Sequence, residues 1–399
     1  MSEVAQVPQL RFPEFSGEWE DGKLGNYGNL INGLTYSPDN IVDDGLLVLR
    51  SSNVQNGQIY LNDNVYVNLD VDDAALTKED DILICVRNGS KRLIGKSTII
   101  NKNLPKSTHG AFMTVFRGES NKFISHWFHS SIYYKEVHKN LGATINSING
   151  SNLKKFKTIF PLKPEQQKIA AFLTAVDNKI EQLSKKQELL DEYKKGLMQQ
   201  IFSQAVRFRA GDTPGQPLLP NGNSPSGSDF PNWEEKRLGD LCEITTGKLD
   251  ANAMVEGGQY RFYTCAKEYY KIDDYAFDTD ALIVSGNGAN VGYIHHYQGK
   301  FNAYQRTYVL DSFTDNIIFV KFVLDEYLHK RIMKEKNEGN TPYIVMGTLT
   351  DMKINLPSFS EQTKIAIFLS SIDSKIEQVG KQLDESKQFK KALLQQMFV

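Results

Sequence analysis

The stretch EQQKIAAFLTAVDNKIEQ, Glu165 to Gln182, returns as EQTKIAIFLSSIDSKIEQ at Glu361 to Gln378. Pro161 to Phe202 aligns with Pro357 to Phe398 without a gap, with about 20 identities in roughly 42 positions. In the first copy Ile169, Leu173, Val176, Ile180, Leu183, Gln187, Leu190, Lys194, Leu197 and Ile201 alternate spacings of four and three. The second copy keeps the phase with Ile365, Leu369, Ile372, Ile376, Val379, Leu383, Ser386, Lys390, Leu393 and Met397. This is the a/d pattern that buries one seam of a helix against a partner helix. Pro164 and Ser360 stand just before Glu165 and Glu361, which suits a helix start, where an early proline or cap and then an acid are favourable. Each helix is predicted to run roughly 38 residues, about 57 Å. Identical phase at a fixed offset predicts that the two helices pair with each other.

Weaker similarities lie outside these tails. Leu153 and Lys157 match Leu349 and Lys353, Trp19-Glu20 and Leu24-Gly25 match Trp233-Glu234 and Leu238-Gly239, and Arg11-Phe12 recurs as Arg207-Phe208. The chain therefore divides into two similar halves, each with a repeated front, a divergent middle and a repeated tail. The middles hold short β-branched runs, DDILICV, KSTIIN, DALIVS and RTYVL, separated by glycine and asparagine, the pattern of strands and turns. The fold class is mixed α/β: two globular domains joined by an antiparallel two-helix coiled coil, related by a pseudo-twofold internal repeat. Antiparallel pairing follows from that symmetry and makes the helices a ruler between the middles. The predicted divisions are an N-terminal segment 1–18, a first domain 19–160, a central helix 161–204, a linker 205–229, a second domain 230–356 and a C-terminal helix 357–399. The linker rests on GDTPGQPLLPNGNSPSGSD, a composition with no sustained period.

With 46 Lys and Arg against 48 Asp and Glu, the 399-residue chain is near neutral, which argues against a uniformly basic coat but leaves room for local patches. Three cysteines without CxxC spacing suggest neither a disulfide framework nor a zinc site. The N-terminus lacks a signal-peptide pattern and no segment has the apolar length to span a bilayer, so a cytoplasmic location is expected.

Two glycine-rich segments come close to nucleotide-binding motifs and miss. GSKRLIGKS, Gly89 to Ser97, has five residues between its glycines where a phosphate loop needs four, and STII follows where a helix should begin. GNGANVG, Gly286 to Gly292, spaces its last glycine one residue too far for a dinucleotide fingerprint. His295-His296 lacks a partner at metal-ligand spacing, and without any Pro-Pro dipeptide the Asn-Pro-Pro-aromatic methyltransferase tetrapeptide cannot occur. No catalytic, cofactor-binding or metal-binding residue is expected in this chain.

Aligning Leu83-Ile84 and Asn88-Gly89 with Leu282-Ile283 and Asn287-Gly288 gives both middles a buried strand running into an Asn-Gly turn, which by itself is also an ordinary hairpin signal. From Ile82 to Gly118 the first middle carries Arg87, Lys91, Arg92, Lys96, Lys102, Lys106 and Arg117 and no acid; the second has none between Ala281 and Leu310. Such segregation in a near-neutral chain suits a phosphate footprint. The candidate DNA-facing set is Arg87, Asn88, Lys91, Arg92, Lys96, Lys102 and Lys106 in the first half, with Lys248, Asn287, Asn290, Lys300, Gln305 and Arg306 in the second. Asn88, Asn290, Gln305 and Arg306 have side chains suited to bidentate reading of base edges.

The duplicated pairing of W-E-x-x-x-L-G-x, Trp19 to Asn26 and Trp233 to Asp240, with P-x-x-x-E-Q-x-K-I-A-x-F-L, Pro161 to Leu173 and Pro357 to Leu369, resembles the specificity subunit of type I restriction-modification systems. The resemblance covers nearly the whole chain. It implies two target-recognition domains, each reading one half of a split, asymmetric site in double-stranded DNA, with the helices fixing the gap. It also implies two adenine methyltransferase subunits that use S-adenosylmethionine, and restriction subunits that use ATP and Mg, as partners. A methylation-only specificity protein and a coiled-coil scaffold with protein-binding ends are the alternative readings.

Overall fold

The computed structural model describes residues 7–141, 146–208, 211, 230–335 and 343–399; most of the predicted linker, and the first six residues of the N-terminal segment, lie outside them. The chain forms two compact units, Met1–Ser184 with Lys381–Val399, and Lys185–Gly380. Each unit therefore takes one end of each long helix, Lys163–Phe202 and Phe359–Gln396. The two helices start at equivalent residues. Every position assigned to the a/d seam is buried or half-buried along both.

In the first unit an antiparallel sheet runs in the order Gly28–Asn32, Met113–Gly118, Ile82–Cys85, Ser97–Ile99. Strand alternation sorts its residues. Ile82, Ile84 and Phe116 join Phe123, Trp127, Phe128 and Tyr133 in one core, while Leu83, Cys85, Met113 and Val115 join Leu47, Leu49 and Val54 in another. The same first core contains Ile169, Ala170 and Leu173 from the start of the first long helix and Leu393, Leu394, Met397 and Phe398 from the end of the second. Fully burying side chains of this size contributes about 1.5–3 kcal/mol each.

The second unit has a six-stranded sheet in the order Glu243–Thr246, Thr307–Asp311, Phe277–Ser285, Ile294–Ala303, Tyr260–Tyr263, Tyr270–Ile272. Leu282, Val284 and Leu310 pack with helix Ile317–Glu335 and with Leu197, Ile201, Ile365 and Leu369 of the long helices. Ala281, Ile283, Phe301 and Val309 form a smaller cluster with Tyr263 on the other side. DDILICV, KSTIIN, DALIVS and RTYVL all fall on strands.

The scattered repeats meet in space. Arg11 donates from Nε and Nη2 to both oxygens of Glu165 at 2.8 and 2.7 Å, and Trp19 Nε1 donates to the same carboxylate at 3.3 Å. Arg207 does likewise to Glu361 at 3.1 and 2.7 Å, with Trp233 at 3.3 Å. Glu165 and Glu361 are 3% and 0% exposed, so each depends on its bidentate guanidinium, because an ionised carboxylate is costly to bury unpaired. Beside each clamp a ribbon closes, Glu20 opposite Phe160 and Glu234 opposite Leu356, and Leu24 and Leu238 donate backbone N–H to Phe156 and Met352 carbonyls. Phe208, within the predicted linker, is likewise built into the second unit's core.

Candidate nucleic-acid interface

In both units a buried strand enters a loop and returns antiparallel, Ile82–Cys85 to Ser97–Ile99 and Phe277–Ser285 to Ile294–Ala303. The backbone bonds of the two loops correspond. Gly95 N–H reaches Cys85 O and Gly292 N–H reaches Ser285 O, both at 2.8 Å, while Ile148 and Ile344 donate to the Val86 and Gly286 carbonyls. This pairing corrects the alignment read from the sequence by one residue: Arg87, and not Asn88, corresponds to Asn287. The earlier alignment would have placed Leu83 opposite Leu282, which sit on opposite sides of their sheets, and a one-residue slip in a strand inverts every side chain.

The last glycines of the two near-motifs have a structural use. Gly95 and Gly292 adopt φ of +85° and +81°, a left-handed conformation that favours glycine. A Cβ on either would come within 2.9 Å of Val137 or Ile332 on the neighbouring helix.

The basic run of the first unit is not one patch. Arg87, Lys91 and Arg92 are exposed in the loop after Cys85, with Arg87 lying 5.6 Å from the Phe112 ring centroid. Lys102 and Lys106 are exposed beyond Ile99, at the opposite end of the same strand pair. Arg117 is held by Asp81 at 2.8 and 2.6 Å. Lys96 is half-buried with its ammonium 3.4 Å from the Ser51 carbonyl, and burial lowers its pKa. Asn88 donates to Ser51 Oγ and accepts from the Ser90 N–H, both at 3.0 Å, so its amide shapes the turn.

In the second unit the candidates gather around one short segment. Asn290 Nδ2 donates to the Cys265 carbonyl at 3.1 Å, and the Cys265 thiol donates to the Arg306 carbonyl. Gly286 N–H also reaches that carbonyl, bringing Asn287 alongside. Gln305 Nε2 donates to Asp250 at 2.9 Å, beside exposed Lys248. Lys300 stands apart, its ammonium 4.4 Å from the Tyr275 ring centroid. His295 and His296 are taken up by the Ala266 carbonyl and Asp280.

Sequence reasoning passed over the neighbouring tyrosine surface. Arg261 lies 4.3 and 4.2 Å from the ring centroids of Tyr269 and Tyr297 and donates to the Tyr263 hydroxyl at 3.2 Å. Tyr263 in turn packs on His295, which joins this surface to the Cys265 segment. The available signal was YRFYTCAKEYYK, Tyr260 to Lys271, where aromatics alternate with cations. Among the described residues no cluster of three or more His, Cys, Asp or Glu could hold a metal, and no helix is long and apolar enough to cross a membrane.

The family model described as type I restriction modification DNA specificity domain matches twice, over residues 16–191 and 231–386. The EcoDI specificity subunit of Escherichia coli is 41% identical over 167 residues, a match spanning 41% of this chain and only 37% of that one. The StySPI specificity subunit of Salmonella potsdam is 24% identical over 414 residues, covering 92% of this chain and 85% of the relative. A crystal structure of the S subunit of a type I restriction-modification system from M. genitalium shares the fold, with a TM-score of 0.68 at 18% identity over 98% of this chain and 99% of that one.

Proposed function

This chain belongs to the type I restriction modification DNA specificity domain family, and from that premise we propose that it reads a split DNA site, one half-site per unit, for partner adenine methyltransferase and restriction subunits. Duplication is the observation that carries this reading. The clamp, the ribbon and the loop-bearing hairpin are each built twice, and four strands keep the same order in both sheets, yet the second sheet adds Tyr260–Tyr263 and Tyr270–Ile272 at one edge and the two present different side chains. A repeated frame serves the helices and partners; different surfaces serve different half-sites. Phosphate contacts from Arg87, Lys91 and Arg92 position the first unit, and the groups around Cys265 and Arg261 meet the second half-site.

The helices form the antiparallel coiled coil of this scheme, with a pseudo-twofold relation between halves. Two ion pairs support it. Lys390 lies 2.5 Å from Asp177, and Lys194 lies 2.6 Å from Asp373, so the same pair of positions is used in both directions across the helices. Charged residues at seam positions specify register at some cost in stability. Two methyltransferase subunits supply S-adenosylmethionine chemistry and the restriction subunits supply ATP and Mg; this chain supplies the address.

The test is selection from a randomised duplex library by this chain assembled with its methyltransferase partners. Two short specified blocks separated by a gap of fixed length are expected. Exchanging residues 25–157 for those of a relative should then change one block alone. Binding without sequence preference, or a change in both blocks, refutes independent readers.

A further inference from the structure

The arginines among the described residues sort into two groups. Arg11, Arg50, Arg117, Arg207, Arg237 and Arg331 each pair with a carboxylate. Among the described residues, Arg87, Arg92, Arg261 and Arg306 form no such ion pair. Three of these four lie in or beside exposed turns, where a solvated guanidinium needs no further account. Arg261 differs: it is half-buried, on strand Tyr260–Tyr263, with no carboxylate beside it.

The tyrosines take the carboxylate's place. Two ring faces lie within about 4.3 Å of the guanidinium carbon, inside the range where the ring quadrupole attracts a cation. Nη1 is used by the Tyr263 hydroxyl, whereas Nε and Nη2 have no acceptor among the described residues. Burial opposes a charge here, and the tyrosines offset that cost without consuming the remaining donors. The result is a planar two-donor edge whose orientation is set before any ligand arrives, so little side-chain entropy is lost on binding. A carboxylate partner would have filled that edge.

We propose that Arg261 is a base-reading residue of the second unit, its free donors matching the O6 and N7 acceptors of a guanine in the major groove, the commonest match for this fork. This rests on the reading of the chain as a DNA specificity subunit. The surface is continuous with the groups around Cys265 through Tyr263, His295 and Ala266. The two units therefore use different chemistry, exposed cations in one and a tyrosine-held guanidinium in the other.

The experiment compares Arg261→Lys and Arg261→Ala with the unaltered chain, each assembled with its methyltransferase subunits, by mapping genomic methylation and by binding to single-base variants of the site. Lysine keeps the charge and loses the planar fork. Both variants are expected to relax one guanine position in one half-site, with discrimination there falling by roughly 5- to 150-fold, and to leave the other half-site and the gap alone. An unchanged motif in both variants overturns the proposal. So does uniform weakening on all sequences with about one unit lost from the salt slope, since that marks a phosphate contact. If Arg261→Ala unfolds the second unit while Arg261→Lys discriminates normally, the residue is packing and the proposal is overturned. An unaltered complex with no split motif would instead overturn the parent reading, separately from Arg261.

Discussion

Replacing Gly95 by Ala tests whether the glycine of the first loop serves backbone geometry and helix packing. At φ +85° an alanine costs about 1–2 kcal/mol for its left-handed conformation. Its methyl would also lie 2.9 Å from Val137 Cγ2 and 3.1 Å from the Tyr133 hydroxyl. Neither neighbour yields easily. Val137 is β-branched and stiff, and the Tyr133 hydroxyl donates to the Gly95 carbonyl at 3.0 Å, so overpacking adds about 1–3 kcal/mol. The expected total is about 2–5 kcal/mol. Gly17 is the control: its φ is +84° but a Cβ there meets nothing within 4 Å, so Gly17→Ala should cost only about 1–2 kcal/mol. Urea unfolding can be followed in a Trp233→Phe background, where the remaining tryptophans, Trp19 and Trp127, both report the first unit. At about 1–3 kcal/mol per molar for the slope, the midpoint should fall by about 0.7 M or more for Gly95→Ala. Adding Val137→Ala should be less damaging in the Gly95→Ala chain than in the parent. Equal effects at Gly95 and Gly17, or strict additivity with Val137→Ala, would refute the packing argument.

Replacing Arg87, Lys91 and Arg92 by Ala should weaken DNA binding by the assembled enzyme and flatten its salt dependence by roughly three units, one per phosphate; adding Lys96→Ala should not flatten it further, and titration at several salt concentrations decides. Glu165→Gln leaves Arg11 without its carboxylate and should cost about 3–5 kcal/mol, seen as faster hydrogen exchange in the first unit only, with Glu361→Gln acting only on the second. Burial, with a smaller contribution from Lys390, pushes the His126 pKa down to about 3. Its unfolded form takes a proton below about pH 6.5 while the folded form does not, so stability is unaffected above that pH. Between about pH 6.5 and 3 it falls by up to about 1.4 kcal/mol per pH unit; His126→Gln should shrink this slope in acid titrations of unfolding. One heptad inserted after Leu183 and one at the matching Val379 should lengthen the gap by roughly three base pairs, from about 10 Å of added helix, or abolish binding for geometric reasons; an unchanged gap at full activity, read by methylome sequencing, would remove the helices as the ruler.

The two helices were legible because a seam of apolar residues leaves its period in the sequence whatever else the helix touches, and Lys163–Phe202 begins where Pro164 and Glu165 indicated. The clamp was half legible: Arg11, Trp19 and Glu165 were visible as repeats, but their meeting spans 154 residues, and no local pattern encodes it. The loop alignment went wrong by one residue because identity at Leu83 and Leu282 outweighed the alternation that assigns a strand residue to its face. The basic run misled in a different way. Seven cations close in sequence were separated by strand reversal and by Asp81, whereas Arg261 stood among tyrosines with Glu256 and Glu268 near it in the sequence alone, and no charge count could single it out.

Each unit borrows the far end of the other half's helix, and this affects how the chain is made. Ile169 and Leu173 emerge from the ribosome long before Leu393, Leu394 and Phe398, which share their core. At about 5–20 residues per second, the intervening stretch takes on the order of 10 to 40 s to synthesise. Until then the first unit's core lacks four of its buried side chains, Leu393, Leu394, Met397 and Phe398. A premature stop near residue 380 would remove Leu393, Leu394, Met397 and Phe398 from that core and leave the apolar face of Ile169, Ala170 and Leu173 without them.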